Sequence, residues 1–380
     1  GRGTAGDAVM EWDDLMSFKR SFTDPIPREE RDRLAGAGID LYEAPPVFVG
    51  ERTLEVGGGR VQAGRVVIAT GMRPRPLSFP GADLLVNSDE FLELPALPES
   101  LLFVGAGYIS MEFAHVAARA GCDVLVLEQA ERPLLAFDAE VAEKLVEASH
   151  AAGIAFEFDA CVDRIEREGD GVRVGCSRTG EWRHADMAVH GAGRIASLDG
   201  LDLERANVSF SDRGVEVNER LQSPTNTAVY ACGDAADTDG PPLTPVANME
   251  AKALAAHLAD GRDIDLEYTG IPTAAFTVPS VAGVGLTEAE ARERGLEFDV
   301  RRLDVSDRKP VRQMGAEHAF YKILMTGADR RILGAHLIGP RAEEIINVFA
   351  LAMRFGISAD RLKEAIFAYP AMTSTAIWLL

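Results

Sequence analysis

The feature that most constrains the fold is a glycine-rich segment at residues 105–110, which reads GAGYIS. An apolar stretch at 101–104 predicts a strand before it, and residues 108–120 carry apolar side chains at helical spacing after it. Glu128 ends the next predicted strand, roughly 20 positions further on. A strand, a glycine turn, a helix and an acidic residue in this order are typical of a βαβ unit that binds a dinucleotide.

Each position of this segment has a physical reason. Gly105 permits the tight turn, and Gly107 lets the backbone approach a pyrophosphate. The start of the helix, at Tyr108 and Ile109, offers that anion unpaired N–H groups and the positive end of the helix dipole. Ser110 stands at the third glycine position, where a small side chain still permits close packing of the helix on the sheet.

Glu128 predicts which nucleotide is bound. A carboxylate here accepts hydrogen bonds from the 2′-OH of NAD and repels the 2′-phosphate of NADP. Gln129 follows it, at a place where a basic residue would favour the phosphate. We therefore predict NAD(H) in preference to NADP(H). Because Arg132 is near, binding of NADP(H) remains an alternative, and a βαβ unit that binds no nucleotide is the other.

Strands and helices alternate after the glycine segment. Further strands are predicted at 123–127 and 154–158, with a helix at 138–152 between them. This βαβαβ order predicts a parallel sheet with right-handed crossovers. Residues 163–177 predict a hairpin, and the sequence from about 271 onward has the mixed pattern of an α+β module.

A second glycine motif occurs at residues 1–6, which read GRGTAG. The sequence shows no strand before it and no acidic strand end at the required distance after it. We predict that it is not a phosphate loop.

The charge balance limits the partners. The formal net charge is −21 and the sequence pI about 4.8, so the chain repels phosphate backbones and anionic lipid surfaces. We expect no nucleic acid and no membrane partner. No apolar run reaches the roughly 18 residues of a membrane span, and the start lacks the pattern of a signal peptide. The expected location is the cytoplasm.

The cysteines and histidines predict no metal site. Cys122, Cys161, Cys176 and Cys232 include no pair at the close spacing of zinc or redox motifs. Each is predicted to be a small buried hydrophobic residue. The seven histidines are scattered without helical ligand spacing.

Several further motifs, in a fixed order, resemble the class I pyridine nucleotide–disulfide oxidoreductase family of the glutathione reductase and dihydrolipoamide dehydrogenase kind. The matching residues are Ala69, Thr70 and Gly71; 105–112 (GAGYISME); Ala192, Gly193 and Arg194; 231–234 (ACGD); 243–247 (LTPVA); and 271–279 (IPTAAFTVP). The resemblance implies an α/β fold with two dinucleotide domains, each a doubly wound parallel sheet, and a C-terminal α+β dimerisation domain.

The resemblance also implies the domain bounds. Residues 1–84 are expected to be the remainder of an FAD-binding domain whose first βαβ unit is missing, and 85–194 an NAD(P)-binding domain. Residues 195–268 are expected to be a second FAD-binding segment, and 269–380 the dimerisation domain of a homodimer. A stripe on its long helix, Ile345, Phe349 and Met353, fits a dimer interface, with core packing as the alternative.

Roles for individual residues follow from the resemblance as well. Ala69, Thr70 and Gly71 would pass near the flavin nucleotide, Asp234 would hold the ribityl chain of FAD, and the segment at Thr244 would face the flavin. Gly193 closes the nucleotide domain. Tyr108 would be a gate, meaning a side chain that covers the flavin until the nicotinamide displaces it. Glu112 would pair with a lysine outside this sequence, or is a solvated carboxylate without a partner.

The chain departs from the family at two places. A C-x-x-x-x-C disulfide is not found near the Ala69 strand, and the family's H-P-T-x-x-E ending reads YPAMTS, with Tyr369 at the base position and Ser374 at its carboxylate partner. A histidine has a reference pKa near 6.5 and a tyrosine about 10, so a tyrosine donates a proton at neutral pH but does not accept one. Loss of a general base costs roughly 10²–10⁴ in rate. A branch of the family carries Tyr-Pro here.

Two functions remain. The first is an FAD-dependent NAD(P)H oxidoreductase that passes hydride from nicotinamide to flavin, and electrons on to a disulfide or small acceptor. The second is a dimeric protein that binds NAD(H) without FAD and is not an enzyme.

Overall fold

The chain is described from a computed structural model, which covers residues 10–380. The glycine motif at residues 1–6 lies outside the described residues. The helices are α1 (Trp12–Thr23), α2 (Ile26–Gly36), α3 (Ser88–Phe91), α4 (Tyr108–Arg119), α5 (Ala139–Ala151), α6 (Thr244–Asp260), α7 (Glu288–Glu293), α8 (Lys309–Gln313), α9 (Ala342–Arg354), α10 (Ala359–Glu364) and α11 (Met372–Ile377).

The strands follow the same numbering along the chain. They are β1 (Val47–Gly50), β2 (Thr53–Val56), β3 (Gly59–Gln62), β4 (Val66–Ile68), β5 (Met72–Pro74), β6 (Ser100–Val104), β7 (Asp123–Leu127), β8 (Ile154–Glu157), β9 (Arg164–Glu168), β10 (Gly171–Gly175), β11 (Trp182–Ala185), β12 (Met187–His190), β13 (Arg194–Ala196), β14 (Phe210–Ser211), β15 (Gly214–Glu216), β16 (Val229–Ala231), β17 (Ala236–Asp237), β18 (Thr273–Ala275), β19 (Val281–Gly285), β20 (Phe298–Asp304), β21 (Phe320–Thr326) and β22 (Ile332–Ile338).

The chain divides into two compact units. The first unit holds Leu77–Gly193 and Thr269–Leu380 together with residues 10–16, and the second holds Ser17–Pro76 and Arg194–Tyr268. The division into four domains at 1–84, 85–194, 195–268 and 269–380 remains a prediction.

A four-stranded parallel sheet in the order β12-β6-β7-β8 forms the middle of the first unit. The apolar run of β6 is buried on both faces. Leu101 and Phe103 pack with residues of α4 and α5, whereas Leu102 and Val104 pack with residues of β9 and β10. Helices α4 and α5 connect its strands, and their apolar faces bury Met111 and Leu145. The predicted βαβαβ order is therefore found, with element ends within two residues of those expected.

An antiparallel sheet, β11-β10-β9, lies in the chain between strands β8 and β12 of this parallel sheet. Strands β9 and β10 form the predicted hairpin, with Gly171 opposite Glu168 at the turn. Gly169, in the turn, has φ +60°, a conformation that glycine adopts at little cost.

The C-terminal part of the first unit is a five-stranded antiparallel sheet, β18-β19-β22-β21-β20, covered by α9. Ile345 and Phe349 of α9 are buried in its core, and Met353 packs against that core. The interpretation of this stripe as a dimer interface is wrong, because the sheet of the same chain already covers it. The exposed apolar residues of this helix end are Leu351 and Phe355.

The second unit is built from small sheets around a main core and a smaller hydrophobic cluster. Strands β4 and β16 pair in parallel, β1-β2-β3 form an antiparallel sheet, β5 pairs with β13, and β14-β15-β17 form a mixed sheet. Phe48, Ile68 and Val229 are among the core residues. Between residues 10 and 380, no helix has the length and apolar content needed to cross a bilayer.

Candidate functional site

Gly105 begins the glycine loop at the end of β6. Its φ is +95°, and a Cβ added there would lie 2.4 Å from the carbonyl oxygen of Gly191. Its N–H donates to the carbonyl of Leu127 at 2.7 Å. The turn therefore requires glycine for both its backbone angle and its contact with the 191 strand end.

Gly107 is different, because nothing in the folded chain requires it to be glycine. Its φ is −77°, and an added Cβ would have its nearest neighbour, the Gly191 oxygen, at 3.8 Å. It is the N-cap of α4, and no side chain caps the helix there. The first N–H groups of α4, including that of Ile109, thus lack a side-chain acceptor, and the open space beside Gly107 suits an anion.

Ser110 brings α4 close to the sheet. Its side chain is fully buried, and a Cβ added to Gly191 would lie 1.7 Å from its Oγ. Its Oγ has no hydrogen-bond partner among the described residues. Gly191 was missed in the sequence, although the repeated glycines at 191 and 193 carry the signal. Gly193 itself adopts φ +97° at the unit's end.

Glu128 lies at the end of β7 with its carboxylate buried. One oxygen accepts the N–H of Ala106 at 2.6 Å and the other accepts the N–H of Ala130 at 2.8 Å. A carboxylate offers about four acceptor positions, so two remain for other donors. Gln129 is exposed, and Arg132 donates to the carbonyls of the turn at 133–135.

Tyr108 is half-buried at the start of α4. Its hydroxyl is 2.6 Å from Oγ1 of Thr273, and its ring centroid is 5.3 Å from that of Phe137. Burial raises the pKa of the Tyr108 hydroxyl, against the opposing effect of the Thr273 hydrogen bond. The phenol is therefore neutral at physiological pH.

Glu112 lies one turn further along α4. It is half-buried, and Oε1 accepts the N–H of Phe276 at 2.9 Å. Burial raises the pKa of this carboxyl. The alternative of a carboxylate without a partner is wrong, because a backbone N–H of the C-terminal region binds it.

The second unit places its predicted residues at one sheet edge. Parallel strands β4 and β16 end at Ala69, Thr70 and Gly71 and at the 232–234 segment, respectively. The N–H of Cys232 donates to Ile68 across the pair at 3.2 Å. Carboxyl ends of parallel strands are where such sheets bind ligands.

A cavity of about 330 Å³ opens beside this edge in the second unit. Asp234 lines it together with Met72, Thr238 and Val246. Thr244 begins α6 next to the lining residue Val246 and is exposed. The volume is at the lower end of ligand sites, and the polar lining suits a hydroxylated chain such as ribityl. The residues present fit part of a flavin nucleotide.

Glu250 is a residue that the sequence analysis missed. It is 1% exposed on α6 and accepts hydrogen bonds from the Gly233 N–H at 2.7 Å and from the hydroxyls of Thr238 and Tyr268, each at 2.8 Å. It thereby fixes the loop that carries Asp234. An acidic residue inside an alanine-rich helix is the only sequence signal for it.

Tyr369 is 78% exposed and lines a cavity of about 190 Å³ with Ser374, Lys309 and Trp378. The hydroxyl of Ser374 donates to the carbonyl of Ala371 at 2.7 Å. The residue at the family's carboxylate position therefore serves the local turn. The structure brings Tyr369 and Ser374 to one cavity, while Glu112 lies on α4.

The prediction for the cysteines is half right. Cys122 and Cys232 are free and buried, as predicted. Cys161 and Cys176 form a disulfide, so the interpretation of these two as separate hydrophobic residues is wrong. Cys161 precedes the predicted hairpin at 163–177 and Cys176 lies at its far end, so pairing of the two strands brings the cysteines together. Together with Asp163 they could also hold a metal ion, which the sequence analysis did not predict.

Comparison with known proteins gives matches over most of the chain. Residues 21–251 match the family "Pyridine nucleotide-disulphide oxidoreductase", and residues 271–379 match its dimerisation domain. A mercuric reductase from Bacillus cereus is 31% identical over 88% of this chain and 53% of its own length. A glutathione reductase from Burkholderia cepacia is 27% identical over 97% of this chain and 81% of its own length. The chain thus spans about half of the mercuric reductase.

Solved structures match the fold of this chain. The HOCl-induced flavoprotein disulfide reductase RclA from Escherichia coli is 25% identical, with a TM-score of 0.89 over 97% of this chain and 86% of its own. The predicted fold class, an α/β two-dinucleotide fold with a C-terminal α+β domain, is confirmed.

Proposed function

Because this chain belongs to the pyridine nucleotide-disulphide oxidoreductase family, we propose that it is an FAD-dependent oxidoreductase that takes hydride from NAD(H). The family and the general class of oxidoreductase were both predicted from the sequence, and both are confirmed. The nucleotide preference, the site residues and the acceptor are our proposals. The observation that carries the proposal is the uncapped helix start at Gly107 next to the buried carboxylate of Glu128.

The nucleotide's pyrophosphate would bind at Gly105, Gly107 and the first turn of α4. This placement is supported by the absence of a side-chain cap on α4 and by the space beside Gly107. The helix dipole and free N–H groups stabilise two phosphate charges without a basic side chain. Such an arrangement suits a protein with a net charge of −21.

The adenosine ribose would bind at Glu128. Its carboxylate keeps acceptor positions after binding Ala106 and Ala130, and these suit the 2′- and 3′-hydroxyls. A 2′-phosphate would meet the same carboxylate and be repelled. Arg132, the residue that favoured NADP(H) as an alternative, already donates to three backbone carbonyls. These contacts support NAD(H).

FAD would bind in the second unit, with Asp234 on the ribityl hydroxyls and the segments at Gly71 and Thr244 beside the ring. The cavity lined by Asp234 supports this placement, and Glu250 holds its loop in position. When bound, FAD supplies hydride acceptance from nicotinamide and electron release to a second acceptor. The chain's own task is to orient and enclose the cofactors.

Tyr108 would act as the gate, and Glu112 would position the helix turn behind it. The hydrogen bonds from Tyr108 to Thr273 and from Phe276 to Glu112 tie this turn to the C-terminal region. Tyr369 would donate a proton to the acceptor side through its phenolic O–H. The acceptor is a disulfide or a small molecule.

The functional protein would be a homodimer. The match of residues 271–379 to the dimerisation domain supports this, as do the exposed apolar side chains of Leu351, Phe355 and Trp378. A cytoplasmic location and the absence of nucleic-acid and membrane partners stay predictions.

The test is an anaerobic titration of the full-length protein with NADH. We expect purified protein to hold one FAD per chain and NADH to bleach the visible flavin band stoichiometrically. A bound flavin that NADH leaves unbleached would contradict the proposed reaction. Protein that binds NADH but no FAD would instead establish the binding protein without enzymatic activity.

A further inference from the structure

The disulfide between Cys161 and Cys176 lies at the open end of the β9–β10 hairpin. Arg164 pairs with Gly175 at the last position of the ladder, and the N–H of Asp163 donates to the Gly175 carbonyl at 3.1 Å. This backbone pairing brings both cysteines and Asp163 together whether or not the sulfur atoms are bonded.

Asp163 contributes a charged oxygen to this cluster. It accepts the N–H of Ser177 at 2.8 Å and also the Ser177 hydroxyl, and its Oδ2 is 3.8 Å from Sγ of Cys161. The cluster therefore presents a fixed anion beside two sulfur atoms.

Once the S–S bond is broken and the two sulfur atoms separate, these three side chains lie close enough to bind a tetrahedral metal ion. A Zn–S distance of about 2.3 Å places two ligand sulfurs roughly 3.8 Å apart. One ligand atom from each of Cys161, Asp163 and Cys176 lies within 4.8 Å of the others. Cys161 is in an irregular segment and only half-buried, so a small shift of its side chain opens the site. A cavity of about 130 Å³, lined by both cysteines and by Glu157 and Arg183, gives access.

We propose that Cys161 and Cys176 form a reversible disulfide whose reduced form, with Asp163, binds Zn²⁺. Reduction breaks the S–S bond and adds two electrons and two protons from an external dithiol, which becomes a disulfide. Binding of Zn²⁺ then displaces both thiol protons, and the two thiolates and the carboxylate form three of four ligand positions. Water fills the fourth.

The site adjoins the residues proposed to bind the nucleotide, and this link rests on the proposed function. The N–H of Ala160 donates to the Glu128 carbonyl at 2.9 Å, and the N–H of Asp159 donates to Ala130 at 3.1 Å. The loop that carries Cys161 is thus bonded to the loop that carries the Glu128 carboxylate. Zinc binding is measured without NADH. A chain that binds no zinc and a chain that does not oxidise NADH are therefore distinguishable outcomes.

The first experiment titrates the reduced, metal-free chain with Zn²⁺ by calorimetry, and with Co²⁺ by the absorption of thiolate–cobalt bonds. We expect one ion per chain, and none after oxidation. Cys161→Ser should weaken binding by more than the roughly 10–100-fold cost of losing an outer-shell partner. The matched control, Cys122→Ala with Cys232→Ala, should bind as wild type. Absent binding by the reduced chain, or unchanged binding in Cys161→Ser, would overturn the proposal.

A second measurement needs no variant. The reduced wild-type chain is alkylated with and without Zn²⁺, and modified cysteines are mapped by mass spectrometry. We expect Zn²⁺ to protect Cys161 and Cys176 selectively. Equal modification of both cysteines in the two samples would overturn the site even if Cys161→Ser fails to fold.

Discussion

The carboxylate of Glu128 accepts the backbone N–H of Ala106 at 2.6 Å, which ties the end of β7 to the glycine loop after β6. The same carboxylate accepts the N–H of Ala130 at 2.8 Å. The acidic residue at the strand end therefore shapes the loop before any nucleotide binds. In the function we propose, this one buried side chain would both select the ribose and hold the loop that binds the phosphates.

Replacement of this carboxylate should weaken nucleotide binding. In Glu128→Gln the amide nitrogen cannot accept from a backbone N–H or a ribose hydroxyl. We expect the Kd for NADH to rise roughly 10–100-fold, as for loss of a hydrogen bond to a charged group, and the preference over NADPH to narrow. Fluorescence titration with both nucleotides measures this. Glu157→Gln, at the end of the neighbouring strand, is the control and should bind NADH like wild type.

Substitution of the two loop glycines, Gly105 and Gly107, should have different effects on stability and on NADH binding. Gly105→Ala places a Cβ 2.4 Å from a backbone oxygen at φ +95°, so we expect at least about 1–3 kcal/mol lost from the free energy of unfolding. Gly107→Ala has its nearest contact at 3.8 Å and should fold normally but lose NADH affinity. Denaturant unfolding and NADH titration separate the effects. Gly327→Ala, with open space around it, controls for the substitution. Normal NADH binding by Gly107→Ala would contradict the phosphate site.

The gate proposed for Tyr108 predicts a gain in affinity. Tyr108→Phe removes the 2.6 Å hydrogen bond to Thr273, which holds the side chain in its observed position. One neutral hydrogen bond contributes about 0.5–1.5 kcal/mol, so NADH should bind roughly two- to tenfold more tightly. Thr273→Val removes the same bond from the other side and should have the same effect. Unchanged affinity in both variants would mean that Tyr108 does not move.

Lys322 should be essential for stability. Its side chain is 2% exposed and lies 2.9 Å from both oxygens of Asp138 and 2.8 Å from Glu288. Lys322→Met leaves the buried carboxylate of Asp138 without its cation, while Glu288 keeps its ion pair with Arg292. Loss of one partner of a buried ion pair typically costs 3–5 kcal/mol in the free energy of unfolding. Lys144→Met, which removes an exposed pair with Glu147, should cost less than about 1 kcal/mol. Denaturant titration measures the free energy of unfolding of both variants. An equal decrease in Lys322→Met and Lys144→Met would contradict the stabilising role of Lys322.

The same cluster predicts sensitivity to acid. Burial alone would raise the pKa of Glu288, but Lys322 and Arg292 lower it to about 2. Because the folded-state pKa lies below the ordinary value of about 4.5, this carboxylate stabilises the fold above pH ~4.5, and the contribution is lost as pH falls toward 2. Thermal unfolding across this range should show a smaller acid-induced decrease in Tm for Glu288→Gln. An equal decrease in Tm with falling pH in Glu288→Gln and wild type would contradict this role of Glu288.

The fold of the βαβ unit around the glycine loop could be predicted because its sequence signals are local. Residues 101–128 contain the strand, turn, helix and acidic residue of one βαβ unit, and short-range periodicity fixes each of them. Glu250 and Gly191 could not be found this way, since their roles depend on contacts with residues that tertiary folding brings to them. The disulfide depended on hairpin register, and the stripe on α9 was misassigned because an apolar helix face looks the same against a core or a partner.

The most direct test of the central claim is calorimetric titration of the full-length protein with NADH and with NADPH. The claim is that the loop at Gly105 and Gly107, with Glu128 behind it, is an NAD(H) site. We predict one NADH per chain and at least about tenfold weaker binding of NADPH, equivalent to about 1.4 kcal/mol. No saturable binding of NADH, or NADPH bound as tightly as NADH, would contradict it.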